Sequence, residues 1–170
     1  MQHIHIKLFA EESAAITLTD AIAVFHRWIQ TSAVPGLLID VADYSHVVNG
    51  PGVVLIGLEA YYSLDLNKGR LGFLYQRKAQ AAGTDAANLQ DALATARAAT
   101  ARLEQEPEFA GKVRFPGNQL SVILNNRQLY PNSPETWNAV EPTLRAALDG
   151  YTLVRNEDPR ERFEVLATRT

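Results

Sequence analysis

The chain has no cysteine among its 170 residues. It therefore has no thiol nucleophile, no disulfide, and no sulfur ligand for a zinc ribbon or an iron–sulfur cluster. The catalytic motifs G-x-S-x-G, Walker A and H-E-x-x-H are also absent, which argues against several large enzyme classes. We expect no cofactor. The lack of cysteine is compatible with a reducing cytoplasm, where we expect the protein to reside.

The sequence also has no long apolar run and no block of like charges, and we expect no signal peptide. Residues 1–9 alternate polar and apolar side chains where a signal peptide would be continuously apolar. The longest apolar stretches, such as residues 52–58, are far shorter than the roughly 18 residues of a membrane-spanning helix. The net charge of −3 comes from interspersed signs, which argues against non-specific binding of nucleic acid. We therefore expect neither a membrane nor a nucleic acid as partner.

The residues that are present predict a single α+β domain over residues 1–170. Hydrophobic residues make up 46% and charged residues 21% of the chain, which is typical of a globular domain that buries its own core. Hydrophobic periodicity predicts the order β-α-β-β-β-α-β-β-(β)-α-β-β. This order favours a mixed, largely antiparallel sheet with about three helices over a doubly wound parallel sheet.

The predicted elements follow from apolar spacing and from helix caps. Strands are predicted at residues 2–9, 36–41, 53–66, 71–78, 112–115, 120–124, 128–130, 151–155 and 162–168. Helices are predicted from a cap at Thr17 or Thr19 to about Ser32, from Asp85 to Glu106, and from a cap at Ser133 to Gly150. The first three elements suggest a right-handed β-α-β unit, whose second strand would be central and covered on both faces.

Residues 53–66 and 71–78 are predicted to form a long antiparallel hairpin. A two-residue loop at Lys68-Gly69 would place Tyr62 opposite Tyr75 on one face and Ser63 opposite Leu74 on the other. The second face carries a row of polar side chains, namely Glu59, Tyr61, Ser63, Asp65, Gln76 and Lys78. This row is either a solvated face of the sheet or the polar wall of a groove.

The densest polar cluster in the sequence contains Asp40, Asp43 and His46, at the carboxyl end of the predicted central strand. Ligands favour that end of parallel strands, and two carboxylates with an imidazole can bind a hard cation or perform acid–base chemistry. The alternative interpretation is that Asp40 and Asp43 accept backbone hydrogen bonds in a turn while His46 is solvated.

A second candidate site is the pair His3 and His5, two residues apart in the first predicted strand. Two imidazoles on one strand face can chelate a transition metal. The alternative is a surface pair on an edge strand, because the sequence indicates no third protein ligand.

Three runs resemble a family of uncharacterised bacterial proteins. They are Leu38 to Tyr44 (LIDVADY), Gly50 to Gly57 (GPGVVLIG) and Pro131 to Thr136 (PNSPET). The likeness covers most of the chain and implies one intact bacterial domain. It implies no activity and transfers no catalytic residue.

Two hypotheses for function follow from the sequence. The first is a noncatalytic module that binds a small polar ligand or another protein, as a homodimer in which pairing covers the edges of the sheet. The second is a small enzyme that acts on a polar metabolite through Asp40, Asp43 and His46, with or without a metal.

Overall fold

The computed structural model describes residues 1–11 and 14–169. In this part of the chain, eight strands form one sheet in the order β2-β3-β4-β5-β1-β6-β8-β7, and every pair of neighbours is antiparallel. The strands are β1 (Ile4–Phe9), β2 (Leu38–Tyr44), β3 (Gly52–Gly57), β4 (Ala60–Asp65), β5 (Gly72–Arg77), β6 (Gln119–Leu124), β7 (Thr152–Arg155) and β8 (Phe163–Thr168). The helices are α1 (Asp20–Thr31), α2 (Asp85–Leu103) and α3 (Pro134–Ala147). The predicted α+β class, the three helices and the general order of elements are confirmed.

The three helices pack on one face of the sheet and bury the hydrophobic core there. Strand β1 sends Ile4, Ile6 and Leu8 into this core, because alternate side chains of a strand point to the same face. Helix α1 contributes Trp28, whose ring lies 6.5 Å from that of Phe73 on β5, measured between centroids. Helices α2 and α3 begin at side-chain caps, since Thr84 accepts from the Ala87 amide and Ser133 from the Thr136 amide.

Strand β2 lies at an edge of the sheet, so the predicted β-α-β unit with a central second strand is wrong. Three strands separate β2 from β1. Leu37 and Ile39 are 64% and 54% exposed, although the apolar run to which they belong has the composition of a covered strand. The composition of a strand indicates how apolar it is. Its place in the sheet depends on which other strands pair with it, and those strands can be distant in the chain.

Three other segments differ in detail from the prediction. Residues 53–66 form two strands, β3 and β4, which pair with each other around a reversal at Leu58 and Glu59. Residues 112–115 and 128–130 are not strands. Val113 and Phe115 are nevertheless buried in the core. The apolar side chains that suggested a strand therefore belong to a loop that packs against the core.

The register of the β4–β5 hairpin is confirmed. Tyr62 pairs with Tyr75 and Ser63 with Leu74, because the alternation of the two strands permits only one face to enter the core. A single 3-10 turn, Asn67–Gly69, joins the strands, and Lys68 adopts a φ of +57° there.

Strand β1 is central and is buried on both faces. It is the fifth strand of the sheet and pairs with β5 and β6. His5 and Lys7, which the sequence suggested were on a solvent-facing side, are only 5% and 7% exposed. Side chains of β5 and β6 flank these two residues on both sides, whereas an edge strand has a neighbour on one side only. Among the helices of the described residues, none is long and apolar enough to cross a membrane.

Candidate functional site

The face of the sheet opposite the helices has no layer of secondary structure over it in the described part of the chain, and we call it the open face. Strand pairing places Ser63, Leu74, Lys7, Ser121, Leu166 and Val154 in one row across it. The next row contains Tyr61, Gln76, His5, Ile123 and Glu164. Both rows therefore mix polar and apolar side chains.

The open face contains a cavity of about 330 Å³. Its apolar lining comes from Leu74, Ile123, Val154 and Leu166. Its polar and charged lining includes Lys7, Asp65, Lys68, Arg70, Arg155, Arg162 and Glu164. An apolar surface with a few converging polar groups is the usual composition of a small-molecule site. We call this space the open-face cavity.

A buried ion pair lies in the wall of the open-face cavity. The Nζ of Lys7 is 2.6 Å from Oδ1 of Asp65 and 3.2 Å from the carbonyl oxygen of Arg70, to which it also donates. The same Asp65 oxygen accepts from the Asn67 amide at 2.8 Å. Burial raises the pKa of the Asp65 carboxyl, and the charge of Lys7 opposes that shift. The pair is thus held in place by the turn that follows β4.

The absence of a side chain at Gly72 makes room for Lys7. Gly72 neighbours Lys7 across β5 and β1, and a Cβ atom at position 72 would collide with Cε of Lys7. Without that atom, the aliphatic part of Lys7 can lie flat along β5 and bring its ammonium to Asp65. Gly72 is the first residue of β5, and a glycine in a strand often marks such a close approach.

Cationic side chains dominate the rim of the cavity. Lys68 reaches across the cavity to Glu164, with 3.6 Å between Nζ and Oε2. Arg70 lies over the ring of Phe9, with its guanidinium carbon 3.8 Å from the ring centroid. The cavity is lined by five cationic side chains and only two carboxylates, although the whole chain carries a net charge of −3.

Two polar atoms of the open face have no hydrogen-bond partner among the described residues. They are Nδ1 of His5 and Oγ of Ser63, both in buried side chains. Burial, together with the nearby charges of Arg162 and His3, lowers the pKa of His5 to about 4. His5 is therefore neutral at pH 7.

The structure does not bring Asp40, Asp43 and His46 together. Asp40 pairs with Ile56 and Asp43 with Val53, so the two carboxylates project from opposite faces of β2. Both are exposed, and each accepts a backbone hydrogen bond at 2.8 Å, Asp40 from Val41 and Asp43 from Ser45. Hydrogen bonding to Ser45 lowers the pKa of Asp43. His46 is exposed in the turn after β2.

His3 and His5 do not lie on one regular strand face. His3 has a φ of +53° and precedes β1, which breaks the alternation on which the predicted pair depended. His5 is buried in a central strand, and the expected edge strand is therefore wrong for this residue. No group of three or more His, Asp or Glu side chains that could hold a metal ion occurs in residues 1–11 and 14–169.

A separate charged cluster on the helix side of the sheet connects elements of the fold. Glu106 accepts from Nε1 of Trp28 at 2.7 Å, from Nη1 of Arg27 at 2.5 Å and from Nε of Arg102 at 3.2 Å. Arg27 also binds Glu108. Three donors bind the carboxylate of Glu106, so this cluster anchors α1 to the segment that follows α2.

Most residues of the open-face cavity were not singled out by the sequence. Lys7 lies in β1, whereas Arg155 and Arg162 flank the turn between β7 and β8 near the other end of the chain. They line one cavity because β1, β6, β8 and β7 are consecutive in the sheet. One available signal was the polar residue at every second position of otherwise apolar strands, as in Ser63 and Asp65. The polar wall of a groove was one of the two interpretations of the row that contains these residues.

Comparisons of the chain with protein-family models, with curated proteins and with solved structures found no match. Function is therefore inferred from the geometry and charge of the open-face cavity.

Proposed function

We propose that the protein is a noncatalytic ligand-binding domain and that the open-face cavity is its binding site. The observation that supports this proposal is the apolar lining of a 330 Å³ cavity beside the buried Lys7–Asp65 pair. Removing two charges from water is costly even when they are paired. A fold that keeps such a pair next to an uncovered apolar surface has the elements of a recognition site.

The alternative of a small enzyme receives less support. It requires Asp40, Asp43 and His46 to act on one substrate, and these side chains project to different sides of β2 and its following turn. A general base must lie within hydrogen-bond reach of the group that it deprotonates. The open-face cavity, in contrast, gathers its lining residues around one space.

A molecule with an eight-carbon chain should bind in the open-face cavity. We expect octan-1-ol to shift the backbone amide NMR signals of Leu74, Ser121, Ile123 and Leu166 in a saturable way. Val154→Trp places a large ring at the cavity wall and should weaken this binding by about tenfold or more, a loss of about 1.4 kcal/mol. Val154 is 56% exposed, so the fold should tolerate the change.

Leu129→Trp is the matched control for that experiment. Leu129 is 60% exposed and does not line the cavity, so the same added ring should leave binding unchanged. Signal shifts that map to another surface, or that persist in Val154→Trp, would rule out the open-face cavity as the binding site.

A second candidate function is self-association through β2, which would make the protein a homodimer. The observation that favours it is an unpaired strand edge flanked by exposed Leu37, Ile39 and Leu58. Such an edge is a template for pairing with another strand. A two-fold axis at Val41 would place Asp40 opposite Ala42 of the second copy, so the Asp40 carboxylates of the two copies would not face each other.

Val41→Pro tests this pairing. The Val41 amide donates to the Asp40 carboxylate at 2.8 Å, which places it on the free edge, and proline removes only such an outward donor. We expect the wild type to show a concentration-dependent dimer in sedimentation equilibrium, Val41→Pro to be monomeric, and Val41→Thr, which keeps the amide, to behave as the wild type. A wild type that is monomeric at every concentration would contradict the pairing.

A further inference from the structure

We infer that the ligand of the open-face cavity is a small organic anion with an apolar body, whose anionic group is bound by Arg162 and Arg155. This inference rests on the proposed function and names the ligand class. Its basis is the imbalance of charge in the cavity, in which three of the five cations have no carboxylate partner among the described residues.

The two carboxylates of the cavity form ion pairs with two of its five cations. Asp65 binds Lys7 at 2.6 Å, and Glu164 lies 3.6 Å from Lys68. The remaining cations are the guanidinium groups of Arg70, Arg155 and Arg162. None of these three forms a salt bridge within the described part of the chain. The cavity therefore has an excess of positive charge that its own carboxylates do not neutralise.

The side chain of Arg155 is fixed by uncharged acceptors. Its Nη1 donates to Oδ1 of Asn132 at 2.9 Å. Nδ2 of Asn132 in turn donates to the carbonyl oxygens of Asn156 and Asp158, each at 2.8 Å. Asn132 is buried, and its hydrogen bonds hold both the guanidinium of Arg155 and the loop after β7. A guanidinium held by neutral partners keeps its charge available for an anion.

Arg162 is the less constrained of the two cations. Its only hydrogen bond within the described residues is a 3.4 Å contact from Nη1 to Oδ1 of Asn125. It lines the open-face cavity just before β8, beside Asn125 at the end of β6. Several of its five donors therefore remain for a ligand, and their planar fork suits the two oxygens of a carboxylate or phosphate group.

The apolar side of the cavity determines the rest of the ligand. Ile123 on β6 pairs with Glu164 on β8, and Leu166, two residues further along β8, pairs with Val154 on β7. An inorganic anion would leave this surface in contact with water, whereas an alkyl or aromatic body would cover it. The combination of two available guanidinium groups and an apolar wall is the complement of an amphipathic monoanion.

The test compares two probes that share an eight-carbon chain, octanoate and octan-1-ol. Dissociation constants are measured by NMR titration of the wild type, Arg162→Gln and Arg127→Gln. Arg127 is exposed and lies outside the cavity, so it is a matched control for the loss of one guanidinium. Thermal unfolding of each variant establishes that it is folded.

We expect octanoate to bind the wild type at least about tenfold more tightly than octan-1-ol, because a hydrogen bond to a charged group contributes more than one between neutral groups. Arg162→Gln should abolish most of this preference and leave the affinity for octan-1-ol unchanged, while Arg127→Gln should keep it. Raising the salt concentration should weaken octanoate binding only.

The outcomes separate the two proposals. If both probes bind in the cavity equally well and Arg162→Gln changes neither affinity, the anion inference is overturned while the ligand-binding function stands. If neither probe shifts signals from the cavity, both proposals fail. If Arg162→Gln proves unstable, Arg155→Gln provides the same comparison, because it removes the second of the two guanidinium groups assigned to the anion.

Discussion

Replacing Asp65 by alanine should lower the free energy of unfolding by about 3–5 kcal/mol, because the change leaves the Lys7 ammonium buried without a counter-charge. Lys7 is 7% exposed and Asp65 is 1% exposed, so water cannot easily replace the missing carboxylate. Asp65→Ala also removes the acceptor of the Asn67 amide, which weakens the turn between β4 and β5. Chemical denaturation at pH 7 measures the loss.

The double variant Lys7→Met with Asp65→Leu is the decisive control. Replacing a buried ion pair with apolar side chains of similar size is often neutral or stabilising. We therefore expect the double variant to recover most of the stability that each single variant loses, which would appear as a large coupling energy in a double-mutant cycle. Single variants that each cost less than about 1 kcal/mol would show that the pair is effectively solvated, as surface salt bridges are.

The secondary structure and one strand register could be predicted from the sequence because both depend on local patterns. The cap at Ser133 and the apolar spacing of α2 act over a few residues. The pairing of Ser63 with Leu74 follows from a short loop and from alternation. The position of β2 could not be predicted in this way, because an apolar run describes what a strand can bury and not which strands lie beside it.

The site was largely beyond prediction because its parts are distant in the chain. Lys7 and Asp65 are 58 positions apart, and both looked solvent-facing because a polar residue at every second position usually marks the wet side of a sheet. Their burial follows from the central position of β1, which the sequence did not reveal. Asp40 and His46, in contrast, are close in sequence. This proximity in the sequence is the only reason that they were predicted to form a cluster.

The second large effect concerns acid stability and depends on His5. The pKa of His5 in the folded protein is about 4, below the usual histidine value of about 6.5, because its ring is buried. The unfolded chain therefore binds a proton at His5 that the folded chain does not bind between these two pH values. Stability is consequently lost as the pH falls from about 6.5 to about 4, and by pH 4 this single group accounts for about 3 kcal/mol.

His5→Leu isolates this contribution. Leucine cannot be protonated, and it also removes the buried Nδ1 atom that has no hydrogen-bond partner among the described residues. Free energies of unfolding measured from pH 8 to pH 4 should run parallel for the two proteins above about pH 6.5 and diverge below it, with the wild type losing more. The carboxylates titrate in both proteins, so their effect cancels in the difference. Curves that stay parallel down to pH 4 would show that protonated His5 is accommodated on the open face, with its charge reaching solvent or the carboxylates of Asp65 and Glu164.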